Sequence, residues 1–127
     1  MEQSIRKMQV QSSSDYSSLG LAYIGDAVYE LIVREQVLRE GNRQVEKLHR
    51  ETTGIVNAAS QAELMDSIMD RLTEEEAAIY KRARNAKQHT LPKNQSVADY
   101  KKATGFEAIL GWLYLKGDID RIMDLIS

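Results

Sequence analysis

Two acids stand where acids are unusual. Asp26 lies inside LAYIGDAVYELIVRE (residues 21–35) and Glu107 inside TGFEAILGWLYL (residues 104–115), both strongly apolar runs. Desolvating an unpaired carboxylate costs several kcal/mol, so each needs a partner. The partner can be a polar group within a helix-bundle core. Alternatively, two acids from distant segments can answer each other by sharing a divalent cation. Hard oxygen donors in a chain with no Cys favour Mg²⁺, with Mn²⁺ able to substitute. His49 and His89 are the only histidines, and neither has a nucleophile in motif spacing, so nothing supports a covalent mechanism.

The elements that must position these acids are helices. Leu21, Ile24, Val28, Leu31 and Leu38 form an apolar stripe at helical period. Asp26 falls on the opposite side, yet Ala22, Tyr29 and Val33 flank it there, so the helix is apolar on two faces. One face suits the core and the other a second subunit. This helix is expected over Ser18–Glu40, with Gly41-Asn42 as its stop. A second is expected from Gln44, with Val45 and Leu48 inward and a break at Thr52-Thr53-Gly54. A third should run from Ile55 to Met69, with Ile55, Ala59, Ala62 and Met69 inward.

Thr73-Glu74-Glu75-Glu76 reads as a capping box that opens a fourth helix, so these acids cap rather than bind metal. That helix should fade near Asn85. The connection AKQHTLPKNQ (residues 86–95) holds the only proline. Ser96 should cap a fifth helix, Val97–Lys116, in which Gly111 permits close approach of another backbone. Gly117 and Asp118 then close it and open a short terminal helix. Residues 1–16 read as a frayed lead-in.

With 127 residues, 7 Gly, 1 Pro and no sustained alternation, the chain reads as one all-α domain over residues 1–127. The absence of Cys fits a reducing, cytoplasmic setting. No signal peptide or membrane span is legible, which argues against a membrane partner. The net charge of −2 hides a separation. Residues 81–102 carry seven Lys or Arg against one acid, while the remainder carries ten basic and eighteen acidic residues. The basic stretch is either a solvated helix end and loop or a patch for a polyanion. His89 falls within it and could touch a phosphate.

These residues resemble a known family. LAYIGDAVYELIV is similar to the signature helix of ribonuclease III catalytic domains, and FEAILGWLYL to that family's second motif, E-A-L-I-G-A-x-Y-L. TGIVNAASQAEL resembles the helix between them, and the match runs from Leu19 onward. KRARNAK followed by TLPKN resembles the small bacterial subclass, Mini-ribonuclease III, in which the catalytic domain stands alone. Only ten residues follow Gly117, too few for the double-stranded-RNA-binding domain of the larger enzymes. Those enzymes also carry a Glu where this chain has Ala22 and an Asp where it has Thr104, a reduction the small subclass shares. Fewer anionic ligands hold fewer cations.

The resemblance implies a homodimer built on the signature helix. It also implies Mg²⁺-dependent hydrolysis of double-stranded RNA to 5′-phosphate and 3′-hydroxyl ends, with Asp26 and Glu107 as catalytic metal ligands. The subclass implies maturation of the large-subunit (23S) ribosomal RNA precursor, with a ribosomal protein as a candidate further partner. Lys81, Arg82, Arg84, Lys87 and Lys93 are the candidate RNA contacts. Two rivals are a ribosome-associated RNA-binding relative without chemistry and an all-α nucleotide pyrophosphatase. The latter needs acid pairs at helical spacing. Glu30 lies four residues from Asp26, but no such pair accompanies Glu107.

Overall fold

A computed structural model describes residues 16–88 and 96–127. Among the described residues six α-helices follow in order: α1 Ser18–Glu40, α2 Val45–Val56, α3 Ala58–Ile68, α4 Glu74–Asn85, α5 Val97–Lys116 and α6 Ile119–Ile126, with a 3₁₀ turn at Met69–Arg71. The described residues contain no strand, as the composition predicts. None of these helices is long and apolar enough to cross a membrane.

The caps explain most of the boundaries. The Ser17, Thr73, Ser96 and Asp118 side chains each accept a bond from a first-turn N–H of the helix that follows. Gly117 adopts φ 82°, the left-handed conformation that closes α5, and its N–H and that of Asp118 bond back to Tyr114 and Leu113. The expected bounds of α1, α5 and the end of α4 all hold.

The expected break at Thr52-Thr53-Gly54 is absent, because α2 continues to Val56. One Gly costs only about 1 kcal/mol in a helix, and Thr53 Oγ1 donates to the His49 carbonyl without leaving the helix. The interruption falls at Asn57 instead. Its Nδ2 donates to the carbonyls of Thr53 and Gly54, closing α2, while its Oδ1 accepts from Ser60 N–H, opening α3. Moving the start to Ala58 changes the phase of α3. Ala58, Gln61, Ala62, Met65 and Ile68 are buried; of the expected inward set only Ala62 is, with Ile55, Ala59 and Met69 exposed. Val45 is exposed as well, and Leu48 packs against the core edge.

α5 is the central helix. Residues Ala103–Leu113 are buried except for Glu107, and α1, α3, α4 and α6 pack around them. Tyr29 meets Phe106 edge-on, with ring centroids 5.1 Å apart. The core face of α1 is Leu21, Ala22, Gly25, Tyr29, Val33 and Val37. This corrects the stripe expected from spacing, since Leu31 is 69% and Leu38 52% exposed. Both sides of α1 are apolar, so periodicity could not choose between them. Gly25 chooses: it lies on the side where α5 crosses.

At that crossing the two backbones touch. A Cβ on Gly25 would collide with the carbonyl oxygen of Glu107, and one on Gly111 with the carbonyl oxygen of Leu21. Neither obstacle is a flexible side chain, so any larger residue must push the helices apart.

Arg121 ties α6 to the start of α4. Its guanidinium donates to both oxygens of buried Glu76, at 2.9 and 2.8 Å, and to the Arg71 carbonyl at 2.8 Å. Glu76 also accepts from Thr73 N–H, completing the capping box. The arginine beside it, followed by the Thr73 bond, holds its carboxyl below the usual range despite burial. Glu74–Glu76 therefore cap, as the sequence reading has it.

Gly25→Ala and Gly111→Ala should each lower stability by about 2 kcal/mol or more, the upper range of overpacking. Thermal denaturation checks this. Melting temperatures equal to that of the wild type would show that the helices are not in backbone contact there.

Candidate active site

The crossing decides where the two acids lie. Asp26 follows Gly25 directly, and the Gly25 backbone abuts the Glu107 carbonyl, so the Asp26 and Glu107 side chains emerge side by side. They are near enough for the two carboxyls to hydrogen-bond. Asp26 is exposed, a correction to its expected burial, because it stands at the edge of the α1 core face rather than within it. Glu107 is partly buried.

Burial pushes the Glu107 carboxyl up to about 8, with the charge and hydrogen bond of Asp26 adding to the rise and a hydrogen bond from Gln61 opposing it. Among the described residues, no Lys or Arg pairs with either acid. Two adjacent carboxyls without a counter-cation among the described residues make a donor set suited to an external hard cation. The described residues contain no cluster of three or more His, Cys, Asp or Glu that could hold a metal, so these two acids would be its protein anions.

Glu107 opens into a recess lined by Val56, Asn57, Ala58, Gln61, Tyr100, Ala103 and Thr104. Its far wall is neutral and its hydrogen bonds are largely satisfied. Thr104 Oγ1 donates to the Tyr100 carbonyl at 2.9 Å, Tyr100 OH donates to Gln88 Oε1 at 2.8 Å, and Gln88 Nε2 reaches Thr104 Oγ1 at 3.5 Å. These bonds tie the residues after α4 to the wall of the recess. Sequence reasoning did not find Gln61 or Asn57. The Asn57-Ala58-Ala59-Ser60 cap would have fixed the phase that turns Gln61 inward.

The basic residues cluster at the same end of α4. Lys81, Arg82 and Lys87 are exposed, and Arg84 is half-buried with its guanidinium 5.4 Å from the Tyr80 ring centroid. Among the described residues no carboxylate pairs with these four. Tyr80 also packs on Gly105, which seats this end of α4 against α5 two residues before Glu107. Lys93 and His89 lie outside the described residues. His49 lines a different recess, with Arg34, Leu38, Val45, Leu48 and Thr52.

The chain is similar to several known proteins. The family model described as Ribonuclease III domain matches residues 19–118. The Mini-ribonuclease 3 of Thermoanaerobacter sp. (strain X514) is 47% identical over 111 residues, 87% of this chain and 78% of that protein. That of Enterococcus faecalis is 44% identical over 113 residues, 87% of this chain and 86% of that protein. An X-ray crystal structure of a Fusobacterium nucleatum protein superposes with a TM-score of 0.81 at 38% identity, covering 88% of this chain and 89% of that one.

The raised Glu107 value fixes a pH dependence. A carboxyl that holds its proton more tightly folded than unfolded contributes stability below its ordinary value near 4.5, and loses that contribution as pH rises through about 8. In chelator, wild-type stability should therefore fall between pH 5 and pH 8 relative to Glu107→Gln. Adding Mg²⁺ at pH 8 should restore it. Parallel denaturation curves for the two proteins across that range would refute the assignment.

Proposed function

Because the chain belongs to the ribonuclease III family, and is an endoribonuclease by that membership, we propose that it cleaves double-stranded RNA at a site built on Asp26 and Glu107. The observation that carries this reading is the meeting of those two carboxyls with no cation among the described residues to neutralise them. They hold a divalent cation, Mg²⁺ or Mn²⁺, with Glu107 giving up its proton on binding. Such a cation supplies Lewis acidity at the scissile phosphate and lowers the pKa of an attacking water. The chain itself supplies the rest. Asp26, at the exposed edge, faces the incoming strand, and Glu107 anchors from the partly buried side. The neutral wall of Tyr100 and Thr104 adds no further negative charge against the phosphate.

Binding falls to the catalytic body. Lys81, Arg82, Arg84 and Lys87 lie at the end of α4 joined to the recess through Gln88, where they meet phosphates and 2′-hydroxyls of an A-form duplex. Lys93 joins this set on sequence grounds. Contacts of this kind position the duplex more than they select its sequence.

The working unit is a homodimer. Tyr23 (79% exposed), Ala27, Leu31 and Leu38 line an uncovered apolar face of α1 next to Asp26, so a second copy on this face stands beside the site. The proposed substrate, on the resemblance of the motifs to the small subclass, is the precursor of large-subunit ribosomal RNA, matured in the cytoplasm with a ribosomal protein as an accessory partner. The pyrophosphatase reading loses support, because Glu30 pairs with Arg34 at 3.0 Å instead of joining Asp26.

Two variants assayed on duplex RNA separate chemistry from binding. With Mg²⁺, Asp26→Asn should lose about a thousandfold or more in cleavage, several kcal/mol of transition-state stabilisation, while binding RNA as before. Lys87→Ala should keep its cation affinity, bind duplex more weakly and lower the salt slope by about 1. Full cleavage by Asp26→Asn would overturn the proposed site. An unchanged slope in Lys87→Ala would remove that residue from the interface.

A further inference from the structure

Gln61 is the buried polar side chain that neither the fold nor the two-acid site accounts for. It is 2% exposed on α3, among Ala58, Ala62 and Met65. Its Nε2 donates to the Val56 carbonyl at 3.0 Å, and its Oε1 has no partner among the described residues. Burying an amide with half of its capacity unspent is costly, and an apolar residue of similar size would pack there without that cost. The side chain lines the same recess as Glu107, near enough for its amide to bond the Glu107 carboxyl.

The anchor of this arrangement is rigid. Val56 is the last residue of α2, and Asn57 locks the junction by capping both helices at once. The Val56 carbonyl requires a donor, so it sets which end of the carboxamide is nitrogen. The same nitrogen then has a second hydrogen for Glu107. Three elements converge: Asp26 from α1, Glu107 from α5 and the Gln61 amide from α3.

We propose that Gln61 is a positioning residue, whose Val56-anchored amide fixes the Glu107 carboxylate in the orientation that presents it, with Asp26, to the divalent cation. The inference rests on the reading of Asp26 and Glu107 as cation ligands. A neutral donor suits this place: it orients a ligand oxygen without competing for the cation or adding charge. Groups that orient metal ligands in this way typically alter metal affinity or activity by about 10–100-fold when removed.

The test is Mn²⁺ binding to the full chain, by calorimetry and electron paramagnetic resonance, for wild type, Gln61→Leu and Glu107→Gln, together with melting temperature and duplex-RNA kinetics. Gln61→Leu should bind Mn²⁺ about 10–100-fold more weakly and lose kcat, with KM for RNA unchanged and the fold intact. Should Gln61→Leu not fold, Gln61→Met, also without a donor but flexible enough to fill the space, takes its place. Mn²⁺ affinity and kcat within twofold of wild type in the Gln61 variant, with binding abolished in Glu107→Gln, would overturn the role of Gln61 alone. Retention of Mn²⁺ binding by Glu107→Gln would overturn the two-acid site and this inference with it.

Discussion

The structure depends on one backbone-to-backbone contact. Where α1 crosses α5, Gly25 and Gly111 leave no side chain between the helices, and each backbone meets a carbonyl of the other. Close approach of this kind brings in the Tyr29–Phe106 packing and buries one face of α1 along its length. It also sets the chemistry. The residue after Gly25 is an acid, and the residue whose carbonyl it touches is an acid. A wider crossing would keep the bundle and separate the carboxyls.

Holding two carboxyls together has an electrostatic cost that no Lys or Arg among the described residues offsets. Glu107 responds by keeping its proton until pH about 8, through burial first and the neighbouring Asp26 second. Elsewhere the same chain places an arginine on a buried acid, as Arg121 does for Glu76. The contrast is informative. For Glu76 the partner is built in, whereas among the described residues Asp26 and Glu107 have none. The neutral residues Ala22 and Thr104, at positions where larger members of the family carry acids, keep this cost to a single pair.

Much of this was legible in the sequence, for physical reasons that differ by element. Capping chemistry is local, so Thr73, Ser96, Gly117 and Asp118 marked helix ends correctly. Asp26 and Glu107 stood out as acids in apolar runs, and the structure brings them side by side, but the desolvation argument holds only for partly buried Glu107, since Asp26 is exposed. The faces of α1 were not legible, since both sides are apolar and only the glycine shows where α5 passes. Thr52-Thr53-Gly54 suggested a break that α2 does not make, and the true junction at Asn57 depends on three side-chain bonds spread over residues 53–60. That error displaced the phase of α3 and hid Gln61. The exposure of Asp26 likewise follows from which face the crossing selects, a tertiary outcome that periodicity does not encode.

Anomalous X-ray diffraction from crystals equilibrated with Mn²⁺ would test the central claim most directly. The account places a manganese peak within coordinating distance of both the Asp26 and Glu107 carboxylates, and none at that position in Glu107→Gln. Manganese bound elsewhere, with the two carboxyls still paired only with each other, would contradict it.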